Sequence, residues 1–347
     1  MIKRKIVNIG NVKVGGDNPV SIQTMIKKRS DQYSQIIDEI AQLKEAGSEI
    51  IRIAYREKSE AKFLDKIIKA SVLPVEVDIH FDFKLALSAI DLGADAVRIN
   101  PGNISKEGLR EVVLLAKKNN IPIRVGINIG SVPESYRSKY SPVDSMLELL
   151  KECLEYMESL DFKDIFLSIK ADTVMDTYSA NLKAASLFDY PFHIGVTATG
   201  SGLSAVVKSS IGIGALLMQG VGDTIRVSLT DSTFREVEVA KEILSALRLR
   251  NFGIEVISCP GCGRSQIDIL NLANRAKEEL GKIKTEKVLK VAIMGCEVNG
   301  PGEAKEADIG VAGGINCAIL FKKGKQFKSL DKVDPITTLI EEVKEMI

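Results

Sequence analysis

The sequence predicts an α/β protein: a (β/α)8 TIM-like barrel followed by a small α+β domain. Short β-branched runs alternate with segments of helical period up to about residue 248, giving eight strand–helix units in about the 250 residues such a barrel takes. The strand candidates are nearly continuous apolar runs, the pattern of parallel strands covered on both faces. No glycine-rich dinucleotide turn follows the first of them, which argues against an open doubly wound sheet. The barrel is expected over residues 1–248 and the second domain over 249–347.

Strands are expected at 20–25 (VSIQTM), 49–55 (EIIRIAY), 74–80 (PVEVDIH), 96–100 (AVRIN), 121–128 (IPIRVGIN), 164–170 (DIFLSIK), 192–198 (FHIGVTA) and 224–230 (TIRVSLT). Between them, 31–46 places Ile36, Ile40, Leu43 and Ala46 on one helical face, with Ser30 as N-cap and Gly47 as the stop. The segment 106–118 follows Ser105 and aligns Leu109, Val112, Val113 and Ala116. The segment 143–160 follows Pro142 and aligns Met146, Leu149, Leu150, Cys153 and Met157. Beyond the connection 246–255, a strand (253–258), a cysteine turn, a helix (266–280), a strand (288–294), a glycine-rich loop, two or three short strands (308–329) and a closing helix (334–346) are expected.

The 347 residues include 47 basic and 46 acidic ones, a net charge of +1 that recruits neither nucleic acid nor a membrane surface. Any anion site must come from local arrangement. The best apolar run, 205–222, is interrupted by Lys208 and several glycines, so no membrane span is expected. The N-terminus has a basic start but no sustained apolar core, and a cytoplasmic location is expected. Five cysteines do not make a disulfide scaffold.

The polar residues that interrupt the barrel strands are mostly cationic: Arg52, Arg98 with Asn100, Arg124 with Asn128, Lys170 with Ser168, and Arg226 with Ser228. Residues two apart on a strand share a face, and (β/α)8 active sites form at the C-terminal strand ends. Asp78 is the one obvious internal carboxylate in this reading. Five uncompensated cations inside a barrel call for a polyanion such as a diphosphate. The bland alternative is that they reach solvent or pair with loop carboxylates. Lys170 suits a phosphate ligand, and could also form a Schiff base if desolvated. His80 and His193, the two histidines, also fall on barrel strands.

Four of the five cysteines lie in the last quarter: Cys259 and Cys262 in CPGCGR, Cys296 in GCEVNGPGE, and Cys317 in NCAILF. Two cysteines at the CPGC spacing can serve zinc, a redox dithiol or an iron–sulfur cluster. No second pair or histidine completes a zinc ribbon, and three thiolates plus a non-thiolate ligand suit a cluster with one distinct iron. Cys317 is either a fourth thiolate or a packed core residue; Cys153 belongs to the core.

The segments DIHFDFKLALSAI, AVRINPGNI, RVGINIGS and HIGVT…GDTIRVSL, with CPGCGR and GCEVNGPGEA, run in one order along nearly the whole chain. In these the chain closely resembles the 4-hydroxy-3-methylbut-2-enyl diphosphate synthase family. The resemblance implies an oxidoreductase of isoprenoid precursor biosynthesis. Its reaction is reductive ring opening and dehydration of 2-C-methyl-D-erythritol 2,4-cyclodiphosphate. It implies a [4Fe-4S] cluster on Cys259, Cys262, Cys296 and the carboxylate of Glu303, whose weak oxygen ligation can free one iron. It further implies that Arg52, Arg98, Asn100, Arg124, Asn128, Lys170, His193, Thr197, Arg226 and Ser228 surround the substrate. Flavodoxin or ferredoxin delivers the electrons, and the family works as a homodimer in which the cluster domain of one subunit closes over the partner's barrel. One departure stands out. The family pattern GVTEAG places an acid/base glutamate where this chain reads Gly195-Val196-Thr197-Ala198-Thr199-Gly200. His80, His193 and Asp78 are the candidates to carry the proton instead. The alternatives are a Schiff-base lyase on Lys170 with a structural zinc, and a non-catalytic cyclodiphosphate-binding relative.

Overall fold

The computed structural model describes residues 3–347 except 198, 286, 299–301, 303, 315–316 and 331–332. The chain divides into two compact units, Met1–Arg250 and Asn251–Ile347.

The first unit opens with an antiparallel hairpin that the apolar pattern does not announce: β1 (Ile6–Ile9) and β2 (Val12–Gly15), turning at Gly10 with φ +55. Its strands are only four residues long, too short for a periodic signal. The hairpin packs Val7, Ile9 and Val14 onto Ile50, Ala96 and Phe166, residues at the starts of three barrel strands, and so plugs the N-terminal mouth.

The barrel strands are β3 (Ser21–Met25), β4 (Ile50–Ala54), β5 (Val75–Asp78), β6 (Ala96–Ile99), β7 (Ile123–Asn128), β8 (Ile165–Lys170), β9 (His193–Ile194) and β10 (Thr224–Ile225). They lie parallel in the order β8-β7-β6-β5-β4-β3-β10-β9, and a Leu167–Phe192 bridge closes the ring. The expected (β/α)8 architecture is therefore present. β9 and β10 are shorter than the runs 192–198 and 224–230 suggest, because the chain leaves the ladder at Gly195 to form the rim. There a Cβ on Gly195 would stand 2.5 Å from the Arg226 carbonyl oxygen. The two departing segments are tied to each other instead: Thr199 Oγ1 donates to the Ser228 carbonyl and the Thr230 N–H to the Gly200 carbonyl.

The helices follow their apolar stripes. Lys106–Asn119 is capped by Ser105, which accepts from the Gly108 N–H at 3.1 Å. Pro142–Ser159 has proline in its first turn and buries Met146, Leu149, Leu150, Cys153 and Met157. Tyr33–Ala46 buries Ile36, Ile40 and Leu43 and stops at Gly47, whose φ of +110 lets its N–H return to the Leu43 and Lys44 carbonyls. Ser30 is not its cap. A 3-10 turn, Ser30–Gln32, precedes the helix, and the buried Ser30 hydroxyl goes to Glu60 instead.

The second unit is a five-stranded mixed sheet, β11 (Ile254–Ser258), β12 (Leu289–Met294), β13 (Ile309–Gly314), β14 (Cys317–Lys322) and β15 (Lys325–Leu330), in sequence order. β11 to β13 run parallel, and β14 and β15 add as antiparallel neighbours. Helices Ile269–Gly281 and Pro335–Met346 cover one face over Leu272, Leu280, Val291, Val311, Leu320 and Leu339. Among the described residues no helix is long and apolar enough to cross a membrane.

Candidate functional site

The barrel interior holds two ionic layers. In the deeper one Gln23, Glu76 and Arg124 project from β3, β5 and β7, the alternate-strand pattern of a filled barrel. Arg124 Nη2 lies 2.7 Å from Glu76 Oε1, and Arg124 Nη1 donates to Gln23 Oε1 at 3.2 Å. Gln23 Nε2 in turn donates to Glu76 Oε2 at 3.1 Å. All three side chains are buried. Burial pulls the Arg124 guanidinium below its ordinary value, and the Glu76 charge opposes that shift.

Nearer the C-terminal mouth, Asp78 collects three basic groups: Arg52 Nη2 at 3.5 Å, Arg98 Nη1 at 3.3 Å and His80 Nε2 at 3.5 Å. Burial alone would raise the Asp78 carboxyl, but Arg52, the His80 hydrogen bond and Arg98 hold it far below the usual carboxylate range. Arg98 reaches this position because β7 carries glycine beside it. Its Nη2 donates to the Gly126 carbonyl at 3.0 Å, and a Cβ on Gly126 would stand 2.4 Å from Arg98 Nε. Arg226, just past β10, faces Glu236 on the helix Thr233–Ala246 at 3.4 Å. Glu236 also receives Lys27 Nζ at 3.0 Å and the Leu229 N–H at 2.9 Å.

These contacts correct the expectation of five uncompensated cations. Asp78 is not the sole internal carboxylate: Glu76 and Glu236 share the work, and each of the four arginines has a carboxylate partner. Lys170 does not. Its side chain is buried at the end of β8, with no hydrogen bond or ion pair among the described residues. Desolvation first, then the charges of Arg52, Arg226, Arg124 and Arg98, drive its pKa well below the ordinary lysine range. His193 is fully buried, with both ring nitrogens lacking a partner among the described residues, and the same two causes push it well below the usual imidazole value.

The other expected site residues sort by the work their side chains already do. Asn128 stands in register with Lys170. Asn100 spends its amide inside the protein, donating to Ser131 Oγ at 2.7 Å and accepting from the Gly102 N–H at 3.1 Å. Thr197 is half-buried on the rim loop. Ser228 Oγ is buried without a partner among the described residues, as are Arg52 Nε and Arg226 Nε. Position 198 lies outside the described residues. Buried polar atoms are normally satisfied; among the described residues Arg52, His193, Arg226 and Ser228 each keep a buried polar atom without a partner, and the charges of Arg52 and Arg226 bear on Lys170. The period-2 signal that picked out Arg98 and Asn100 was equally present for Glu76 and Asp78, whereas Gln23, Glu236 and Gly126 had no signal of their own.

In the second unit, adjacent parallel strands bring two cysteine loops to one sheet edge. Ser258 pairs with Ile293, so Cys259 and Gly295-Cys296 leave the sheet side by side. The Cys259 N–H donates to the Ile293 carbonyl at 3.3 Å, and the Gly295 N–H donates to Cys259 Sγ at 3.2 Å. Ser265 locks the CPGC turn by accepting from the Cys262 N–H at 3.2 Å. It lies so close to Gly295 that a Cβ there would meet Ser265 Oγ at 2.6 Å. Cys262 is exposed, Cys259 half-buried and Cys296 buried. Cys317 is half-buried and packs with Cys259 against the cluster of Ala292, Met294, Ala304 and Phe321. Glu303 lies outside the described residues, and among those described no three His, Cys, Asp or Glu groups converge at metal-binding separation. The donor chemistry fits an iron–sulfur cluster nonetheless: soft thiols on two glycine-rich turns, with a backbone N–H already aimed at one sulfur.

Comparison with known proteins places both units. Residues 4–241 match the GcpE TIM-barrel domain and residues 255–345 the GcpE protein C-terminal domain. The chain is 47% identical to 4-hydroxy-3-methylbut-2-en-1-yl diphosphate synthase (flavodoxin) of Thermodesulfovibrio yellowstonii, over 99% of this chain and 100% of that one. It is 44% identical to the protein of the same name from Fusobacterium nucleatum, over 99% of this chain and 96% of that one. Among solved structures, dihydropteroate synthase from Xanthomonas albilineans in complex with 7,8-dihydropteroate superposes with a TM-score of 0.52 at 13% identity, over 70% of this chain and 98% of that one. At that identity the likeness is one of fold alone.

Proposed function

This chain belongs to the GcpE family, and from that premise we propose that it reductively opens 2-C-methyl-D-erythritol 2,4-cyclodiphosphate to 4-hydroxy-3-methylbut-2-enyl diphosphate. The observation that carries the assignment to this barrel is the set of buried polar atoms left without a partner among the described residues on His193, Arg52, Arg226 and Ser228, together with a Lys170 that has no carboxylate partner there. Opening the ring takes up two electrons and sheds one oxygen as water, so at least one proton must reach the leaving oxygen.

Binding falls to the cations. Arg52, Arg98 and Arg226 are held by Asp78 and Glu236 with donors to spare, and present a planar fork to phosphoryl oxygens. Lys170 adds a point charge, while Asn128, Thr197 and Ser228 offer neutral donors. Arg124 is committed to Glu76 and Gln23 and supports the floor of the site. With no carboxyl at Ala198, the proton comes from elsewhere. Asp78 stays ionised at neutral pH and cannot donate; its part is to hold the guanidinium groups and His80. His80 is half-exposed and backed by Asp78, so it can take a proton from solvent and hand it inward. His193 remains neutral and contributes one donor and one acceptor to the ligand.

In the second unit Cys259, Cys262, Cys296 and Glu303 would hold a [4Fe-4S] cluster, which supplies one-electron transfer and an iron able to accept a substrate oxygen. A flavodoxin-type donor accords with the printed name of the relatives. A homodimer in the cytoplasm completes the proposal.

The test is anaerobic turnover of the cyclodiphosphate by iron-loaded protein with a strong one-electron reductant. The allylic diphosphate is the expected product. An intact cluster and bound ligand without product would overturn the proposal in favour of a non-catalytic relative. The depressed Lys170 amine also suits a Schiff base, but membership of the GcpE family does not favour a lyase.

A further inference from the structure

Given the anion site proposed above, we infer that Lys170 gains its proton together with the ligand, so that each cyclodiphosphate entering the barrel brings one proton from solvent onto the Lys170 amine. Lys170 is thus the residue through which binding is coupled to proton uptake, a role distinct from that of the four arginines.

The inference follows from which carboxylates are already engaged. Every element around Lys170 presents a charge of known commitment. β4 brings Arg52 and β6 brings Arg98, both drawn to Asp78 on β5. β7 brings Arg124, locked to Glu76 on β5. The segment after β10 brings Arg226, shared with Glu236, whose second ion pair is to Lys27. β9 brings His193, which offers a lysine no negative charge whether neutral or protonated. Behind β8, the helix Val174–Leu187 turns Asp176 to Thr173 and Lys183 to Asp144, on the outside of the barrel. The Lys170 amine itself lies against glycine, with Nζ 3.4 Å from where a Cβ on Gly195 would stand. A buried ammonium without a carboxylate, facing four guanidinium groups, is the less favourable form in the empty barrel. The cyclodiphosphate, a dianion with one negative charge on each phosphate, reverses both causes among those groups by supplying the missing negative charge and screening the arginines.

Lysine responds more fully than His193 to the same change. Its ordinary pKa lies about four units above that of imidazole. The same relief of repulsion therefore favours the charged form of the lysine well before that of the imidazole. The arginines keep their protons in both states, which leaves Lys170 as the group whose charge follows the ligand.

The experiment is calorimetric titration of the iron-loaded protein with the cyclodiphosphate, without reductant, at one pH in two buffers of different ionisation enthalpy. We expect uptake of about one proton per ligand bound, and an affinity that falls about tenfold per pH unit on the alkaline side. Lys170→Arg keeps a permanent charge at the same place and is expected to bind while taking up no proton. Nitrogen-15 spectra of labelled histidine should show His193 neutral before and after binding, a readout that does not depend on the variant folding. Binding with no proton uptake by the unaltered protein would overturn the inference and leave the anion site standing. Uptake that persists in Lys170→Arg, or a His193 resonance that becomes protonated, would reassign the proton. Failure to bind the cyclodiphosphate at all would remove the site, and the inference with it.

Discussion

Arg124 and Glu76 face each other across the barrel floor with 2.7 Å between Nη2 and Oε1, and their side chains are 1% and 0% exposed. Such a pair contributes little net stability beside an apolar pair of the same volume, but losing one partner leaves a buried charge without compensation. Glu76→Gln is isosteric and removes only the charge. It should cost about 3–5 kcal/mol of unfolding free energy, read from the midpoint of urea denaturation. The double replacement Arg124→Met with Glu76→Leu should recover most of that stability. A Glu76→Gln protein as stable as the parent would show that the floor tolerates an unpaired guanidinium.

Asp223, at the N-terminal end of β10 and away from the proposed anion site, is expected to make the stability of the barrel fall with rising pH. It is half-buried and accepts from the Phe192 N–H at 2.7 Å, and desolvation raises its carboxyl from 3.8 to about 6. Between those values the folded chain holds a proton that the unfolded chain has released. Stability contributed by the neutral form is complete below pH 3.8 and is lost as pH rises through about 6. The loss is on the order of 3 kcal/mol. Asp223→Asn keeps an acceptor for Phe192 and should flatten this fall, with turnover unchanged, in chemical denaturation across pH 4 to 7. An unaltered pH slope in the variant would put the dependence on other groups.

Much of this organisation could be read in the residues themselves, and the parts that could not share a physical reason. β3 to β8 announce themselves because a strand buried on both faces has to be apolar throughout, so any cation on it stands out. Glu76 carries the same signal in Val75-Glu76-Val77-Asp78, but alternation tells only that Glu76 and Asp78 share a face, not that both point to the barrel axis. Gln23 and Glu236 reach the site from a neutral strand position and from a helix, where polar residues are ordinary. The hairpin at Ile6–Gly15 is too short for periodicity to register. Ser30 had the chemistry of a cap but found Glu60, a partner remote in sequence. The cysteine loops were legible as spacing, while the pairing of β11 with β12 that sets them side by side needed the three-dimensional fold.

Gly126 is a steric condition of the site. A Cβ there would stand 2.4 Å from Arg98 Nε and 3.2 Å from Cζ, in a fully buried stretch of β7 that cannot yield. Gly126→Ala should push the Arg98 guanidinium off Asp78 and out of its ligand-facing position. The expected cost is about 1–3 kcal/mol of stability, together with a roughly tenfold or greater loss in cyclodiphosphate affinity if one charged contact is lost. Calorimetric titration checks the affinity, and unchanged iron content separates this effect from damage to the second unit. Affinity equal to the parent's would mean that Arg98 does not touch the ligand.

The proposed cluster ligands can be separated from the neighbouring core cysteine by two serine substitutions. Cys296 is buried at the end of β12, beside the Gly295 N–H that donates to Cys259 Sγ. Cys317 packs against Ala292 and Phe321 instead. Serine offers a harder and more basic oxygen, and it is a poor substitute for a thiolate in an iron–sulfur site. Cys296→Ser, reconstituted anaerobically with iron and sulfide, should therefore retain little iron and lose the visible charge-transfer absorption and the turnover. Cyclodiphosphate binding by the barrel should persist, because Arg52, Arg98, Lys170 and Arg226 all lie in the first unit. Cys317→Ser should keep its iron and lose only the stability that comes from packing a sulfur. Full iron content in Cys296→Ser would remove Cys296 from the ligand set, and loss of iron in Cys317→Ser would add Cys317 to it; both together would make Cys317 the third thiolate.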